Sequence, residues 1–375
     1  MRNKIARTLA LLLIVQPLAA QYRVAEPGYR YEFPRDYFNH PDFQTEWWYY
    51  TGNVKDASGH EFGFELTFFR EALTREAQKV SDWAAPDVYM AHLALSDLSG
   101  HQFYHRERLN RAGPGIAGVD AETGRVWNGN WQIQWSGDTQ NLQAVSDTFS
   151  LRFAMKSQKP PVIHGIDGVS QKSAGEGHAS HYISLTRLAV NGEIGLNGKS
   201  FGVTGAAWMD HEFFTQQLNA EQTGWDWFSL QLDDNTELML FRIRLKDGSI
   251  DPYSSGTYID ANGKATHLTN GDFTLQPMGD ETYASERTHA VYPIRWRITV
   301  LPLKMRFEIT TPLKSQELSG NTSLSPSYWE GAIRIDGTRD ASAIAGVGYL
   351  EMTGYDRPVQ IGQPIGEQLR NSSGH

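Results

Sequence analysis

Residues 45–70, TEWWYYTGNVKDASGHEFGFELTFFR, contain the pattern that decides the fold. A run of aromatic residues leads into the turn Ala57-Ser58-Gly59, and an alternating run follows. In that second run, every second residue is apolar: Phe62, Phe64, Leu66 and Phe68. The residues that alternate with them are Gly63, Glu65, Thr67 and Phe69. A period of two is typical of a β-strand, whose successive side chains point to opposite faces. The stretch therefore predicts a β-hairpin.

A second stretch of the same kind begins at Thr223. Residues 223–228, TGWDWF, lead through the turn Asp233-Asp234-Asn235 into residues 237–242, ELMLFR. Each copy is an aromatic strand, a turn and an apolar strand that ends in Phe-Arg. Repetition of a whole hairpin unit indicates two domains of one architecture in tandem. Chance similarity between two aromatic hairpins is the alternative.

Further short β patterns continue along the chain and are separated by turn signals. The turn dipeptides include Asn191-Gly192, Asn197-Gly198, Asp247-Gly248 and Asp336-Gly337. Many short strands joined in this way predict an all-β protein, either a sandwich or a barrel. We expect domains over 45–222 and 223–356, each long enough for an eight-stranded barrel that can close around one small ligand. Residues 21–44 lead into the first domain, and a disordered tail is expected over 357–375.

The composition fits a globular chain and excludes several functions. Of the 375 residues, 40% are hydrophobic, which is enough apolar surface to support folding. The formal net charge of −9 argues against a nucleic-acid partner, because phosphate binding depends on clustered lysine and arginine. Since the chain has no cysteine, disulfides, thiolate metal sites and cysteine nucleophiles are excluded. No nucleotide-binding or serine-hydrolase motif is present, and no cofactor is predicted.

The N-terminus has the pattern of a secretory signal. Three basic residues, Arg2, Lys4 and Arg7, precede the short apolar run Leu9 to Val15. Small residues at Ala19 and Ala20 then predict cleavage after Ala20 and a periplasmic or secreted mature protein. An uncleaved anchor helix is the alternative, although the apolar run is short for a bilayer core of about 30 Å.

The densest group of titratable residues is Asp210-His211-Glu212. On a strand, Asp210 and Glu212 would share one face and His211 would lie on the other, whereas a turn or bulge could bring all three together. A histidine oriented by a carboxylate can act as a general acid or base, so these three are the candidate catalytic residues. A structural hydrogen-bond node at the junction between the two halves is the alternative.

Other residues are candidates for ligand contact. The loop Lys159 to Gly168 is rich in proline and glycine, and its His164 and Asp167 could face the mouth of a cavity. Two histidines, His178 and His181, are too few ligands for zinc, so no metal site is predicted. Aromatic side chains could line an apolar pocket. The aromatic candidates are Trp47, Trp48, Tyr50, Trp208, Phe213, Trp225 and Trp227.

Several charged residues lie within otherwise apolar segments. They are Glu46, Glu65, Arg70, Arg187, Glu330 and Glu351. A buried charge must be paired, or its ionisation is suppressed. Carboxylate–arginine pairs are the simpler interpretation for most of them. A glutamate that faces an apolar cavity without an arginine would instead have a raised pKa and could donate a proton.

Long motifs spread over most of the chain recur in a known family. They are residues 46–52, 66–70, 91–97, 159–168, 184–188, 208–212, 224–227, 328–331 and 348–355. Together they resemble the AttH and carotenoid 1,2-hydratase (hydroxyneurosporene synthase-like) family. This resemblance implies two tandem lipocalin-like (calycin-like) antiparallel β-barrel domains. Asp210 and His211 match an Asp-His pair of the hydratases, but a Tyr and an Asp used further on by the hydratases are replaced here near Leu240-Phe241-Arg242.

The same resemblance implies alternative functions. AttH-type secreted proteins are often encoded beside ABC-transporter components, and carotenoid hydratases add water to an isoprenoid double bond. The first hypothesis is therefore a secreted protein that binds a hydrophobic, lipid- or isoprenoid-like molecule in a barrel cavity and works with an ABC-type exporter. The second is a hydro-lyase in which His211 acts with Asp210 or Glu212. A secreted hydrolase is a third, weaker alternative.

Overall fold

The computed structural model describes residues 22–73, 86–113, 115–279, 281–320 and 327–359. The predicted signal segment, 1–20, lies outside these residues, as does the predicted tail from 360 onward. The described residues form one short 3-10 turn, Arg35–Tyr37, and twenty-five β-strands, which confirms the all-β prediction. Within these ranges we find no helix with the length and apolar character needed to cross a bilayer.

The first thirteen strands form an N-terminal barrel. They are β1 (Thr45–Asp56), β2 (Glu61–Ala72), β3 (Asp87–Asp97), β4 (Gln102–Arg111), β5 (Ala117–Asp120), β6 (Arg125–Asn128), β7 (Trp131–Ser136), β8 (Thr139–Val145), β9 (Phe149–Ser157), β10 (Val162–Ile163), β11 (Ser170–Gln171), β12 (Ala179–Leu196) and β13 (Lys199–Phe214). The antiparallel order is β4-β3-β2-β1-β13-β12-β9-β8-β7-β6-β5, with β10 and β11 paired to β12. Side chains bridge the gap near the sheet edges, where Asn110 Nδ2 donates to Asn128 Oδ1 (2.6 Å). The sheet is therefore a nearly closed barrel.

The remaining strands form a C-terminal barrel. They are β14 (Gln222–Leu232), β15 (Glu237–Leu245), β16 (Ser255–Ile259), β17 (Ala265–Thr269), β18 (Phe273–Pro277), β19 (Thr282–Ala284), β20 (Val291–Pro293), β21 (Trp296–Val300), β22 (Met305–Thr310), β23 (Glu317–Leu318), β24 (Tyr328–Arg339) and β25 (Ser342–Thr353). Their order is β17-β16-β15-β14-β25-β24-β22-β21-β18, with β23 on β24 and a separate β19-β20 ribbon. The chain passes from one barrel to the other between Phe214 and Gln222.

One face of each long strand fills a barrel interior. Trp48 and Tyr50 of β1 pack inside the N-terminal barrel with Phe213 of β13. Phe228 and Trp296 do the same in the C-terminal barrel. These interiors are dense clusters of apolar side chains that bury the hydrophobic surface of each sheet. The open space expected within the barrels lies instead between them, as described below.

The opposite faces of the same strands bring the two barrels together. Tyr49 and Trp208 of the N-terminal barrel meet Trp227 and Phe241 of the C-terminal barrel in a shared apolar cluster. The approach is close at Gly63, where an added Cβ would lie 2.7 Å from the hydroxyl of Tyr349. Two tandem barrels joined through an apolar face confirm the predicted architecture, and this face contains the candidate site.

Candidate functional site between the barrels

A cavity of about 860 Å³, counted out to its open mouth, lies between the two barrels. Its walls come from β1, β2, β12 and β13 on one side and from β14, β15, β24 and β25 on the other. Side chains reach it from the outward face of each strand, so Trp47 lines the cavity while Trp48 fills the barrel. The aromatic part of the wall comprises Trp47, Tyr49, Phe69, Tyr182, Trp225, Trp227, Phe241 and Tyr328.

The Asp210 carboxyl group of the cavity accepts hydrogen bonds from three side chains. The Trp208 indole donates to Asp210 Oδ1 at 2.6 Å, the Ser184 hydroxyl donates to the same oxygen, and the Tyr182 hydroxyl donates to Oδ2. Burial raises the pKa of Asp210 to about 7, although these three hydrogen bonds act in the opposite direction. Protonated and ionised Asp210 are therefore both available near neutral pH, as a general acid or base requires.

A chain of hydrogen bonds connects Asp210 to the C-terminal barrel. His164 Nε2 lies 2.7 Å from Ser184 Oγ, and His164 Nδ1 lies 2.8 Å from Thr257 Oγ1 on β16. Burial lowers the pKa of His164 well below its ordinary value, so its ring is neutral. On the other side, the Trp227 indole donates to the Tyr182 hydroxyl at 3.0 Å. Groups from both barrels therefore fix the position of the Asp210 carboxyl.

Glu212 and Lys172 form a second polar pair on the same wall. Lys172 Nζ lies 3.7 Å from Glu212 Oε2, and Gln217 Nε2 donates to that oxygen at 3.2 Å. The ammonium of Lys172 also lies 3.9 Å from the centre of the Phe241 ring. Burial raises the pKa of Glu212 and lowers the pKa of Lys172, while the attraction between the two groups opposes both shifts.

Three more carboxyl groups, the acidic cluster of Glu65, Glu330 and Glu351, lie at the side of the cavity formed by β2, β24 and β25. The Tyr49 hydroxyl donates to Glu330 at 2.7 Å, and the Tyr328 hydroxyl donates to Glu65 at 3.2 Å. Glu65 Oε2 and Glu330 Oε2 are buried without a hydrogen-bond partner.

The acidic cluster differs from Glu46 and Glu212 in its partners. Within the described residues, no ion pair joins these three carboxyls to a lysine or arginine. Burial raises the pKa of Glu65 to about 7 and that of Glu351 to about 8, and it raises the pKa of Glu330 with help from its neighbour Glu351. These groups correspond to the case considered from the sequence, in which a buried glutamate without an arginine partner has a raised pKa.

His211 lies on the other side of β13, inside the N-terminal barrel. Its Nε2 is 2.9 Å from Glu46 Oε1, and Glu46 also accepts from Arg70 Nε at 3.1 Å. His40 Nδ1 lies 2.7 Å from the same Glu46 oxygen. His40, Glu46 and His211 thus bring ligand-type atoms within 4.8 Å of one another, but these atoms bond to each other and to Arg70 in a buried network. Strand alternation therefore separates His211 from Asp210 and Glu212, and His211 does not reach the cavity.

The structure distributes the sequence-predicted residues among four places. Those that line the cavity are Trp47, Asp210, Glu212, Trp225 and Trp227. Trp208 and His164 lie behind the wall and hold Asp210 directly or through Ser184. Trp48, Tyr50, His211 and Phe213 point into the N-terminal barrel. Asp167 is on the surface, where its carbonyl accepts from the backbone of Gly28 (3.3 Å).

Sequence reasoning missed Lys172, Tyr182 and Tyr328. Tyr182 could have been found, because Tyr182, Ser184 and Thr186 alternate along one strand face, which places two of the three donors to Asp210 together. Lys172 lies in a loop rich in glycine and serine, and nothing in the local pattern marks it as a cavity residue. Its position depends on the distant strands of both barrels.

This fold and site define a class of protein. Its members are lipocalin-like, are built from two barrels, and have an apolar, acid-lined cavity between the barrels. The sequence profile of the AttH-like family matches residues 24–355, and the chain belongs to this family. No curated protein sequence matches the chain.

Two solved structures are similar over nearly the whole chain. An AttH protein from Nitrosomonas europaea is 35% identical, with a TM-score of 0.79 over 89% of this chain and 99% of that chain. Kievitone hydratase from Nectria haematococca is 15% identical, with a TM-score of 0.69 over 90% of this chain and 97% of that chain. The second likeness shows a shared fold.

Proposed function

We propose that the cavity between the barrels binds a hydrophobic small molecule, lipid- or isoprenoid-like in character. The observation that supports this most is the aromatic wall, to which both barrels contribute. Concave, mostly apolar spaces with a few fixed polar groups are typical of ligand sites. Native mass spectrometry of protein purified from the cells that make it would reveal a bound molecule, and repeatedly empty protein would contradict the proposal.

Truncation of the aromatic wall should weaken apolar binding. We expect Trp225→Ala to lower the affinity for the neutral fluorescent probe N-phenyl-1-naphthylamine about tenfold, since a large aromatic contact is lost. Fluorescence titration measures this affinity. The matched control is Trp135→Ala, because Trp135 stacks on Tyr37 (ring centres 4.5 Å apart) away from the cavity. Equal affinities of the two variants would argue against the cavity as the binding site.

Hydration of a carbon–carbon double bond is the second candidate function, and Asp210 is the observation that favours it. The shared fold with a hydratase suggests the reaction class, whereas the geometry of Asp210 supplies an acid inside an apolar space. Protonation of the alkene would leave a cation that aromatic faces such as Trp227 stabilise. Water then adds to the cation and returns a proton to the carboxylate.

The hydration hypothesis predicts that Asp210→Asn loses turnover and keeps binding. With squalene in H₂¹⁸O, the wild-type protein should form an ¹⁸O-labelled alcohol, and the variant should form at least about 100-fold less. Mass spectrometry of the extracted product gives the rate, and the naphthylamine titration confirms that the cavity is intact. Undiminished turnover in Asp210→Asn would rule out this acid. If the wild-type protein yields no labelled alcohol from squalene or other acyclic isoprenoid alkenes, hydration of such compounds is excluded and binding alone remains.

Secretion and a partnership with an ABC-type exporter remain proposals that rest on the N-terminal pattern and on the family. A basic segment, a short apolar run and small residues before Gln21 support export followed by cleavage. Cell fractionation and N-terminal sequencing should find a mature chain that begins at Gln21 outside the cytoplasm. An intact chain in the cytoplasm would contradict export.

A further inference from the structure

Lys172 is a buried amine at the edge of the apolar cavity, and neither binding nor hydration uses it. Lys172 is 6% exposed, and its side chain lines the cavity beside Tyr182 and Phe241. The ammonium lies 5.0 Å from the Tyr182 ring centre and 3.9 Å from the Phe241 ring centre. Lysine is rarely buried in this way unless it is paired.

The backbone of Lys172 is fixed, so the amine has a defined position. Its amide donates to the carbonyl of His178 (2.9 Å), and its carbonyl accepts from Gln222 Nε2 (2.7 Å). Gln222 Nε2 also donates to Asp251 Oδ2 (2.9 Å) in the C-terminal barrel. Lys172 is therefore held by groups from both barrels and extends into the space between them.

A second buried lysine shows how a purely structural amine is held. Lys159 Nζ donates to Glu237 Oε2 at 2.6 Å, to the Asn235 carbonyl at 2.6 Å and to the Asp260 carbonyl at 2.8 Å. Those three bonds use all three protons of its ammonium. Lys172, in contrast, has its carboxylate at 3.7 Å and aromatic faces on its other sides. Burial lowers the pKa of Lys172, which increases the uncharged, nucleophilic fraction of the amine at neutral pH.

We propose that Lys172 forms an imine with an apolar aldehyde or ketone bound in the cavity between the barrels. The inference rests on the proposed binding of apolar molecules and specifies the chemical class of one such ligand. It is independent of the acid role suggested for Asp210. The nearby Glu212 carboxyl and the apolar walls supply the two features that imine-forming lysines need, a proton donor and exclusion of bulk water.

The reaction releases one water and involves no oxidation. The Nζ lone pair attacks the carbonyl carbon, and the carbonyl oxygen takes a proton from the Glu212 carboxyl to give a carbinolamine. One proton then passes from the carbinolamine nitrogen to its hydroxyl, the C–O bond breaks and water leaves, and the C=N bond forms with one proton left on Nζ. The Glu212 carboxylate, 3.7 Å from Nζ in the free protein, is placed to pair with this iminium cation.

Reductive trapping of the full chain tests the proposal. The protein is incubated with trans-cinnamaldehyde and sodium cyanoborohydride at neutral pH, and intact mass and peptide mapping locate the adduct. We expect one saturable adduct, equal to the mass of the aldehyde less one oxygen atom, on Lys172. Lys159 and the exposed Lys246 should remain unmodified at the same aldehyde concentration. Cinnamyl alcohol, which fits the same space but has no carbonyl, should compete with the labelling.

Two variants and the binding assay separate the possible results. Lys172→Met should abolish the adduct, and Lys172→Arg should do the same with the charge retained. A naphthylamine titration of each variant measures how far its cavity is still intact. If both cinnamyl compounds displace the naphthylamine but no adduct forms on Lys172, the imine is refuted and apolar binding stands. Labelling confined to exposed lysines would likewise refute the imine and leave apolar binding in place. If the naphthylamine itself does not bind the wild-type protein, the proposed binding function fails together with the imine.

Discussion

Replacing Glu46 with alanine is expected to lower the free energy of unfolding by about 3–5 kcal/mol, the usual effect of removing one partner from a buried ion pair. Glu46 is 0% exposed and accepts from Arg70, from the backbone amide of His40 and from groups on His40 and His211. Without it, the Arg70 cation retains only Asp87, at 2.9 Å, as an ionic partner in the described residues. Burial opposes ionisation of Glu46, but its bonds to His211, His40 and Arg70 hold its pKa well below the ordinary value.

Urea denaturation followed by tryptophan fluorescence measures this loss. The matched control is Glu193→Ala, which breaks the exposed pair of Glu193 with Arg152 (3.4 Å) and should change the free energy by less than about 1 kcal/mol. Similar effects of the two substitutions would show that the Glu46 network contributes little. An uncharged variant, Glu46→Gln, should fall between wild type and Glu46→Ala because it keeps some of the hydrogen bonds.

The acidic cluster should make the protein less stable as the pH rises from about 5 to 8. Glu65, Glu330 and Glu351 have a higher pKa in the folded state than in the unfolded state, chiefly because of burial. Folding therefore favours their protonated forms. The stabilisation is complete below the ordinary glutamate pKa of 4.5 and is lost as the pH passes the folded values of about 7 and 8. Each group changes the free energy of unfolding by roughly 1.4 kcal/mol per pH unit within its window.

A comparison with Glu330→Gln isolates this contribution from other titrating groups. Glutamine keeps the shape of the neutral acid and can still accept from Tyr49, so the variant should equal or exceed the wild type in stability at pH 8. The difference between the two proteins should shrink towards pH 5. Unfolding free energies from urea titrations at several pH values give the two profiles. Parallel profiles would mean that the pKa of Glu330 is the same in the folded and the unfolded states.

The sequence predicted much of the fold because alternation is a local signal. The period of two in residues 62–69 placed a strand, and the repeated hairpin predicted two domains. For a strand, the same alternation predicted Asp210 and Glu212 on one face and His211 on the other, and β13 has this arrangement rather than the turn or bulge that was the alternative. These statements need only neighbouring residues, so no distant contact had to be known.

The location of the cavity could not be predicted in the same way, because both faces of the decisive strands are apolar. In β1, Trp47 and Tyr49 face the other barrel, whereas Trp48 and Tyr50 face the core. An outward face that is buried against a second domain has the composition of an inward face, so residue type does not distinguish them. The ionisation of the glutamates depended likewise on distant partners. Glu46 meets Arg70, while Glu330 meets Tyr49 and Glu351.

Substitutions on the two faces of β1 are also expected to have different effects. Substitutions at Trp48 or Tyr50 would disturb the core of the N-terminal barrel, whereas substitutions at Trp47 or Tyr49 would change the cavity and the contact between the barrels. The shape of the cavity can thus be changed by altering every second residue of a few strands.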